Sequence, residues 1–142
     1  MNWYRIKRRP ADILFSNYIR ERDNWKCVYK FKCYGQIDFR ENKAGLATSH
    51  FYKRRKESVR FDPDNADASC LSCHRFVEDS AAGVQTLQEF KKKQLGEKRF
   101  NALWIRSNLY QKKDDKITLI YLKALIKTNG DTTTPLTTYQ DT

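Results

Sequence analysis

Two histidines and four cysteines are the side chains of this sequence best suited to binding metal ions or moving protons. His74 directly follows the Cys-x-x-Cys pair Cys70 and Cys73, and it lies four residues before Glu78. Residues four apart on a helix share a face, so His74 and Glu78 could together bind a divalent ion. The other imidazole, that of His50, could take a proton from water near neutral pH. The chemistry indicated is metal-assisted hydrolysis.

The four cysteines form two local pairs, which favours zinc binding over disulfide formation. Five residues separate Cys27 from Cys33, and two separate Cys70 from Cys73. The N-terminal residues lack the apolar run of a secretory signal, so we expect an intracellular protein with reduced thiols. In that setting four cysteines predict a closed, structural Cys₄ zinc site that does no chemistry itself. Two alternatives stay open, namely unpaired thiols in the core and zinc ligation by His74.

The charge of the chain points to a polyanionic partner. Lysine and arginine number 28 against 17 aspartates and glutamates, which gives a net charge of +11. Such an excess is typical of proteins that bind nucleic acid. One basic cluster, residues 53–56, closely follows His50, and others lie at residues 5–9 and 91–93; for the last, a solvated face is an equal alternative. No apolar run approaches the ~20 residues of a membrane span, so no membrane partner is expected.

Three predicted elements would position the histidines. A helix is predicted over residues 11–22, where apolar residues recur at helical spacing. Its buried stripe would consist of Leu14, Phe15, Tyr18 and Ile19. A short strand over residues 46–50 should end at His50, and a helix over residues 71–79 should carry His74. The segment 25–39 holds β-forming residues around a Tyr34-Gly35 turn and predicts a hairpin or knuckle, whereas residues 53–69 lack helical periodicity and are interpreted as loop.

Helices should occupy most of the chain after residue 80. We expect an interruption at Gly83, helices over residues 87–94 and 97–106 separated at Gly96, and a last amphipathic helix over residues 114–127. The inward-facing residues before the last helix would be Leu103, Trp104 and Tyr110. The buried face of the last helix would be Ile117, Ile120, Tyr121, Ala124 and Leu125.

Several short motifs occur in a recognisable order over roughly residues 12–105. They are Ile19–Asp23, Trp25–Cys27, Ser49–Tyr52 followed by Arg54 and Arg55, Arg60–Asn65, Cys70–His74, and Gln94–Gly96. Together they resemble the HNH nuclease motif, also called the His-Me finger or ββα-metal motif, embedded between two cysteine pairs. They are most similar to phage-type HNH proteins of the lambda NinG (Rap) recombination nuclease family.

The resemblance implies roles for individual residues. His50 matches the general base that activates water for attack on a phosphodiester, and Asn65 matches the asparagine that orients the loop beside it. His74 matches the helix metal ligand, and Glu78 falls where some members have a second one. The structural alternatives are a polar surface residue for His50, a turn residue for Asn65 and a plain helix surface for Glu78. Phosphate contacts are expected from the nearby basic residues Lys53, Arg54, Arg55, Lys56 and Arg60.

One position departs from the motif. Many HNH proteins have aspartate or histidine directly before the general base, as a metal ligand, and this chain has Ser49. The ion would then be completed by water, by the scissile phosphate, or by one of the carboxylates Asp38, Asp62 and Asp64. A site of that kind favours Mg²⁺ or Mn²⁺, since Mg²⁺ in particular readily keeps water ligands.

The expected architecture is α+β, a small zinc-stapled ββα-metal core with an N-terminal helix and C-terminal helices. Its parts would be a basic arm (1–10), the HNH domain (11–110), a C-terminal helix (111–128) and a disordered Thr-rich tail (129–142). The resemblance implies a DNA endonuclease acting on branched recombination intermediates, with a homodimer suited to cutting two strands, in the cytoplasm of a bacterial host. The alternatives are a non-catalytic zinc module that binds DNA, and an RNA-binding or RNA-cleaving module that uses Tyr34, Phe39 and Tyr52.

Overall fold

The computed structural model describes residues 6–130, with the side chains of the last two left out. It is a small α+β fold of five α-helices and a two-stranded antiparallel sheet. The elements are α1 (Pro10–Arg22), β1 (Leu46–His50), α2 (Glu57–Arg60), β2 (Ala66–Cys70), α3 (Leu71–Asp79), α4 (Ala81–Ser107) and α5 (Asp115–Gly130). Arg5 of the expected basic arm and the Thr-rich tail beyond residue 130 lie outside the described residues. No helix in this part of the chain has the length and apolar character needed to cross a membrane.

Helix α1 begins one residue before the predicted start and ends at the predicted residue, and of the predicted stripe only Leu14 is partly rather than fully buried. Phe15, Tyr18 and Ile19 are almost fully buried. Pro10 occupies the first turn, where a missing N–H costs nothing. The Asp12 carboxylate accepts a hydrogen bond from the Arg9 backbone N–H at 2.6 Å, which satisfies a donor that the first turn would otherwise leave unpaired.

Four of the five residues of strand β2 lie in the segment 53–69 that is expected to be loop, so the prediction is wrong for residues 66–69. Its sequence, Ala-Asp-Ala-Ser-Cys, is poor in β-forming residues, and local propensity therefore gives no strand signal. The strand forms because it pairs with β1 in antiparallel register, Leu46 opposite Cys70 and His50 opposite Ala66, and because all five of its residues are buried. The connection between the strands also contains α2, a single helical turn.

The segment 25–39 forms a knuckle without strands, which decides between the two predicted forms. Lys30 adopts φ of 59° and Gly35 adopts φ of 67°, conformations that reverse the chain twice over a few residues. The Phe39 N–H donates to the Trp25 carbonyl at 2.9 Å and closes the base of the knuckle. The Val28 N–H donates to the Ala68 carbonyl at 3.0 Å, which attaches the knuckle to β2.

Helices α3 and α4 follow β2 directly, with only Ser80 between them. Ser80 caps α4 by accepting from the Gly83 N–H at 2.9 Å. Gly83 therefore lies in the first turn of α4, and the predicted interruption there is wrong. Its lack of a side chain matters, because a Cβ at this position would lie 1.8 Å from the Phe76 carbonyl oxygen. Gly96, with φ of 78° and ψ of 163°, divides α4 into two helical segments as predicted.

Helix α5 forms where it was expected, but of its predicted buried face only Leu125 packs against the core, and it is partly buried. Leu122 is fully buried and Thr118 nearly so, whereas the predicted core residues Ile117, Ile120 and Tyr121 are 44–64% exposed. Apolar residues occur on more than one side of this helix, so periodicity alone does not select the face. At the end of α4, Leu103 is buried as predicted, but the predictions for Trp104 and Tyr110 are wrong, since both side chains are exposed.

Candidate metal centre and catalytic cavity

The four cysteine sulfurs gather at the junction of the knuckle with the start of α3. The Sγ atoms of Cys27, Cys33, Cys70 and Cys73 all lie within 4.8 Å of one another. Those of Cys33 and Cys73 are 3.8 Å apart. Four ligands placed tetrahedrally at a Zn–S distance of about 2.3 Å would be separated by about 3.8 Å. The geometry is therefore compatible with a bound metal such as zinc.

Backbone N–H groups donate to these sulfurs, but burial opposes ionisation, and the balance differs from one cysteine to another. The Lys32 N–H donates to the Cys73 sulfur at 3.3 Å. Burial opposes ionisation of Cys27, but backbone hydrogen bonds from Lys30, Cys70 and Tyr29 lower the pKa of this thiol overall. Burial raises the pKa of Cys33 and strongly raises that of Cys73. A metal such as zinc would bind the thiolate forms, and its charge would offset the repulsion between them.

His50, at the end of β1, is held on two sides. Its Nε2 lies 3.0 Å from the Arg60 carbonyl oxygen, and its ring centroid is 5.8 Å from that of Phe15. A carbonyl only accepts hydrogen bonds, so this contact places the proton of a neutral imidazole on Nε2. Nδ1 has no hydrogen bond to any residue between 6 and 130. Burial lowers the pKa of His50 to about 4, which keeps the ring neutral at physiological pH.

Asn65 holds the loop that follows His50. This fully buried carboxamide accepts from the Tyr52 N–H at 2.7 Å. Its Nδ2 donates to the Tyr52 carbonyl at 2.9 Å and to the Val59 carbonyl at 3.0 Å. Three backbone groups of the 51–65 connection are thus satisfied by one side chain, as the sequence led us to expect for a loop-orienting asparagine.

A basic cavity of about 1000 Å³ lies beside His50. His50, His74 and Glu78 all line it, so the structure brings the predicted hydrolytic residues to one cavity. Its cationic lining consists of Lys7, Arg8, Arg20, Lys53, Arg54 and Arg55. The cavity is open and positively charged, and could therefore accommodate a phosphate-bearing ligand.

The predicted ligand pair on α3 is close but engaged. His74 Nε2 lies 3.7 Å from Glu78 Oε1, and Lys53 Nζ lies 2.5 Å from the same oxygen. Burial lowers the pKa of His74. Within residues 6–130, the cysteine cluster is the one group of three or more metal-binding side chains whose ligand atoms lie together. His50, His74 and Glu78 share a cavity without forming a ready-made chelate.

Two of the predicted phosphate ligands are placed elsewhere. Arg60 is 5% exposed, and its guanidinium donates to both carboxylate oxygens of Asp12, from Nε at 2.9 Å and from Nη2 at 2.6 Å. A buried guanidinium with a bidentate partner is not available to a phosphate, so the prediction for Arg60 is wrong. Lys56 does not line the cavity, and its Nζ lies 3.4 Å from the Ser107 carbonyl oxygen.

The carboxylates proposed as additional metal ligands also lie outside the cavity. Asp62 accepts from Arg106 at 2.7 Å and Asp64 accepts from Arg99 at 2.5 Å, while Asp38 pairs with its neighbour Arg40. Besides Glu78, the carboxylate that lines the cavity is Asp12, and Asp12 is paired with Arg60.

Sequence reasoning missed one wall of the cavity. Asp12, Ser16 and Arg20 all line it from α1. These residues are four apart and form a polar stripe beside the buried apolar one. The stripe could have been read from the sequence, but nothing in it indicates that α1 lies beside His50.

A buried ion pair joins α4 to β2. Lys91 and Asp67 are each about 1% exposed, and their charged atoms are 2.7 Å apart. Gln94 bridges the pair, accepting from Lys91 at 2.8 Å and donating to Asp67 at 2.7 Å. The alternative of a solvated face for residues 91–93 is therefore wrong for Lys91, which attaches α4 to β2.

Comparison with known proteins found no match for this chain. No family model, curated protein or solved structure matches this chain. The resemblance to HNH nucleases therefore stays a prediction carried by the motifs quoted above. A function for this chain has to be proposed from its residues and their geometry.

Proposed function

We propose that this protein is a metal-dependent DNA endonuclease in which His50 activates water and His74, with Glu78, binds a divalent ion. The observation that carries the proposal is the shared cavity, which a neutral imidazole from β1 and a His–Glu pair from α3 both line together with several cationic side chains. The cysteine cluster would hold a structural zinc. The strand, strand, helix order of β1, β2 and α3 agrees with the HNH resemblance.

Each residue has a definite task in this proposal. His50 would accept the proton of an attacking water at Nδ1, since Nε2 is committed to the Arg60 carbonyl. Asn65 keeps the loop after His50 in one conformation. A bound Mg²⁺ or Mn²⁺ would stabilise the charge that develops on the phosphate and on the leaving oxygen. Glu78 would have to exchange its contact with Lys53 for the ion, which would free Lys53 to contact phosphate.

The exposed basic residues around the cavity would position the nucleic acid. Lys53 and Arg55 are exposed and adjoin His50 in sequence and in the cavity. Phosphate contacts of this kind fix the register of the backbone and make affinity depend steeply on salt concentration. Replacing Arg55 with alanine should weaken DNA binding and lower the salt slope by about one. Lys93→Ala, which removes the same charge from an exposed position outside the cavity, is the matched control.

Nicking of supercoiled plasmid tests the proposal. Zinc-loaded protein with Mg²⁺ or Mn²⁺ should convert the plasmid to open circles, and EDTA at a concentration that leaves the zinc bound should stop the reaction. His50→Ala and His74→Ala should each lower the rate by at least about 100-fold, with unchanged zinc content and melting temperature. Equal nicking by wild type and His50→Ala would remove the proposed mechanism. Duplex, four-way junction and RNA substrates, compared in parallel, would show which nucleic acid is preferred.

A non-catalytic zinc module that binds DNA is the second candidate. It is favoured by the contact between Lys53 and Glu78 at 2.5 Å, which occupies one of the two predicted ligands of the ion. It predicts salt-dependent binding to DNA without cleavage in any divalent metal. Tight binding by wild type together with an intact plasmid after long incubation would decide for it.

A further inference from the structure

Arg60 is tied to three separate parts of the chain by its guanidinium. Two of its nitrogens bind the Asp12 carboxylate of α1. A third contact reaches the Lys7 carbonyl at 3.2 Å, and a fourth reaches the Arg54 carbonyl at 3.4 Å. The ion pair is almost excluded from solvent, with both side chains about 6–7% exposed. Such a bidentate pair fixes position as well as contributing energy.

The backbone of the same residue makes the hydrogen bond that orients His50. The Arg60 carbonyl oxygen lies 3.0 Å from His50 Nε2. The ring contact with Phe15 restrains the plane of the imidazole, but an aromatic contact does not distinguish one ring nitrogen from the other. The carbonyl does distinguish them, because it accepts a proton and cannot donate one.

The segment that carries this carbonyl has little stability of its own. Helix α2 spans four residues, and isolated helices this short do not persist in water. Its position therefore depends on side-chain anchors. Asn65 holds the Val59 carbonyl at 3.0 Å, and Arg60 attaches the last residue of the turn to α1.

We infer that Arg60 is the positioning residue of His50: its ion pair with Asp12 fixes its own carbonyl, which keeps the His50 proton on Nε2 and presents Nδ1 to the cavity. Only the effect of Arg60 on DNA cleavage rests on the proposed function; its effect on the His50 tautomer does not. Asp12 acts one step further away, as the anchor of Arg60. The residue expected to contact DNA is thus assigned to the support of the general base.

The tautomer of His50 can be measured directly in the wild-type protein. The chain has two histidines, so a ¹⁵N-histidine NMR spectrum contains two imidazole rings, and His74→Ala assigns them. The inference predicts that His50 carries its proton on Nε2 at neutral pH. A proton on Nδ1, or rapid exchange between both nitrogens, would overturn it. This measurement requires no nuclease activity.

Arg60→Lys tests whether the ion pair is what fixes the carbonyl. Lysine keeps the charge but loses the bidentate geometry. We expect His50 to become a mixture of tautomers and the rate of nicking to fall about 10- to 100-fold, with KM little changed. Arg106→Lys is the matched control, since it alters another arginine–aspartate pair, with Asp62, that lies outside the cavity. It should leave both the tautomer and the rate unchanged.

The outcomes separate this inference from the proposed function. A folded Arg60→Lys protein with an unaltered His50 spectrum overturns the inference, whatever the wild type does to plasmid. An altered spectrum in a protein whose wild type never nicks supports the inference and contradicts the proposed function. Should Arg60→Lys fail to fold, Asp12→Asn replaces it, because asparagine keeps the shape and removes the charge. The same two spectral results then decide.

Discussion

The cysteine cluster and the histidine cavity differ in how complete they are. In the first, four ligand atoms lie within 4.8 Å of one another, and backbone N–H groups already point at the sulfurs. In the second, His50, His74 and Glu78 line one cavity, but Glu78 is paired with Lys53 at 2.5 Å. The cysteine site contains all the donors that a tetrahedral ion needs, whereas the cavity contains only some of them.

The difference is the one that the proposed function would require, with a structural ion at the cysteines and a catalytic ion in the cavity. A structural ion is fully enclosed by protein ligands, whereas a catalytic ion keeps positions for water and substrate. A site for a catalytic ion is therefore expected to be open and to offer fewer protein ligands than the ion can bind. The cavity beside His50 is open and is also basic. Strand β2 and helix α3 connect the two sites, because the sulfurs lie at the start of the helix that carries His74.

Removing the metal from the cysteine site should have the largest effect in the molecule. A strong chelator or Cys73→Ser should abolish cooperative unfolding, because zinc contributes about 10–16 kcal/mol in small zinc-dependent peptides. Ser72→Ala, at the exposed position beside Cys73, should behave like wild type. Metal analysis should find one zinc per chain. A metal-free protein that still unfolds cooperatively would show that the two sites do not differ as described.

Breaking the buried ion pair between Lys91 and Asp67 should have the next largest effect. Lys91→Ala removes the ammonium from the buried Asp67 carboxylate, which keeps the Gln94 amide and, at 3.5 Å, the Arg22 guanidinium. The loss should lower the free energy of unfolding by about 3 kcal/mol. Zinc should remain bound in the folded fraction, because Lys91 does not touch the cysteines. Chemical denaturation measures the change, with Lys93→Ala as the exposed control. A loss below about 1 kcal/mol would mean that α4 does not depend on this pair.

Acid should destabilise the histidine cavity by a smaller amount. The pKa of His50 is lowered to about 4 by burial, so between about pH 4 and 6.5 the unfolded chain binds the extra proton and stability falls as the pH falls. Between pH 7 and pH 5 this contributes about 2 kcal/mol. His50→Gln should lack that part of the pH dependence. Equal losses in wild type and variant, measured by denaturation at the two pH values, would contradict a buried neutral imidazole.

Local sequence signals predicted the elements whose residues act locally. Helix α1 was predicted from the helical spacing of its apolar residues, and the short strand β1 and helix α3 were predicted with the bounds that the structure has. The cysteine cluster was predicted from residue type and from the spacing within two local pairs, since few other arrangements suit four reduced thiols. In each case the residues that indicate the structure are close to one another in the sequence.

What sequence could not predict depends on distant partners. Strand β2 forms because it pairs with β1, against the propensities of its own residues. Arg60 and Lys91 looked like surface charges, and their carboxylate partners lie 48 and 24 residues away. Helix α5 packs against α1, and this contact determines which face of α5 is buried. Apolar residues occur on several sides of the helix, so periodicity did not select that face. The wall of the cavity formed by α1 was missed for the same reason.

Paramagnetic NMR tests most directly whether the two imidazoles serve one ion. Mn²⁺ would be added to zinc-loaded, ¹⁵N-histidine-labelled protein, and the signals of His50 and His74 followed. We expect Mn²⁺, bound at about one ion per chain, to broaden the signals of both rings. Mg²⁺ should compete with Mn²⁺, and His74→Ala should abolish the broadening of His50. Two rings that stay sharp, or broadening of His74 alone, would contradict a shared metal site in the cavity.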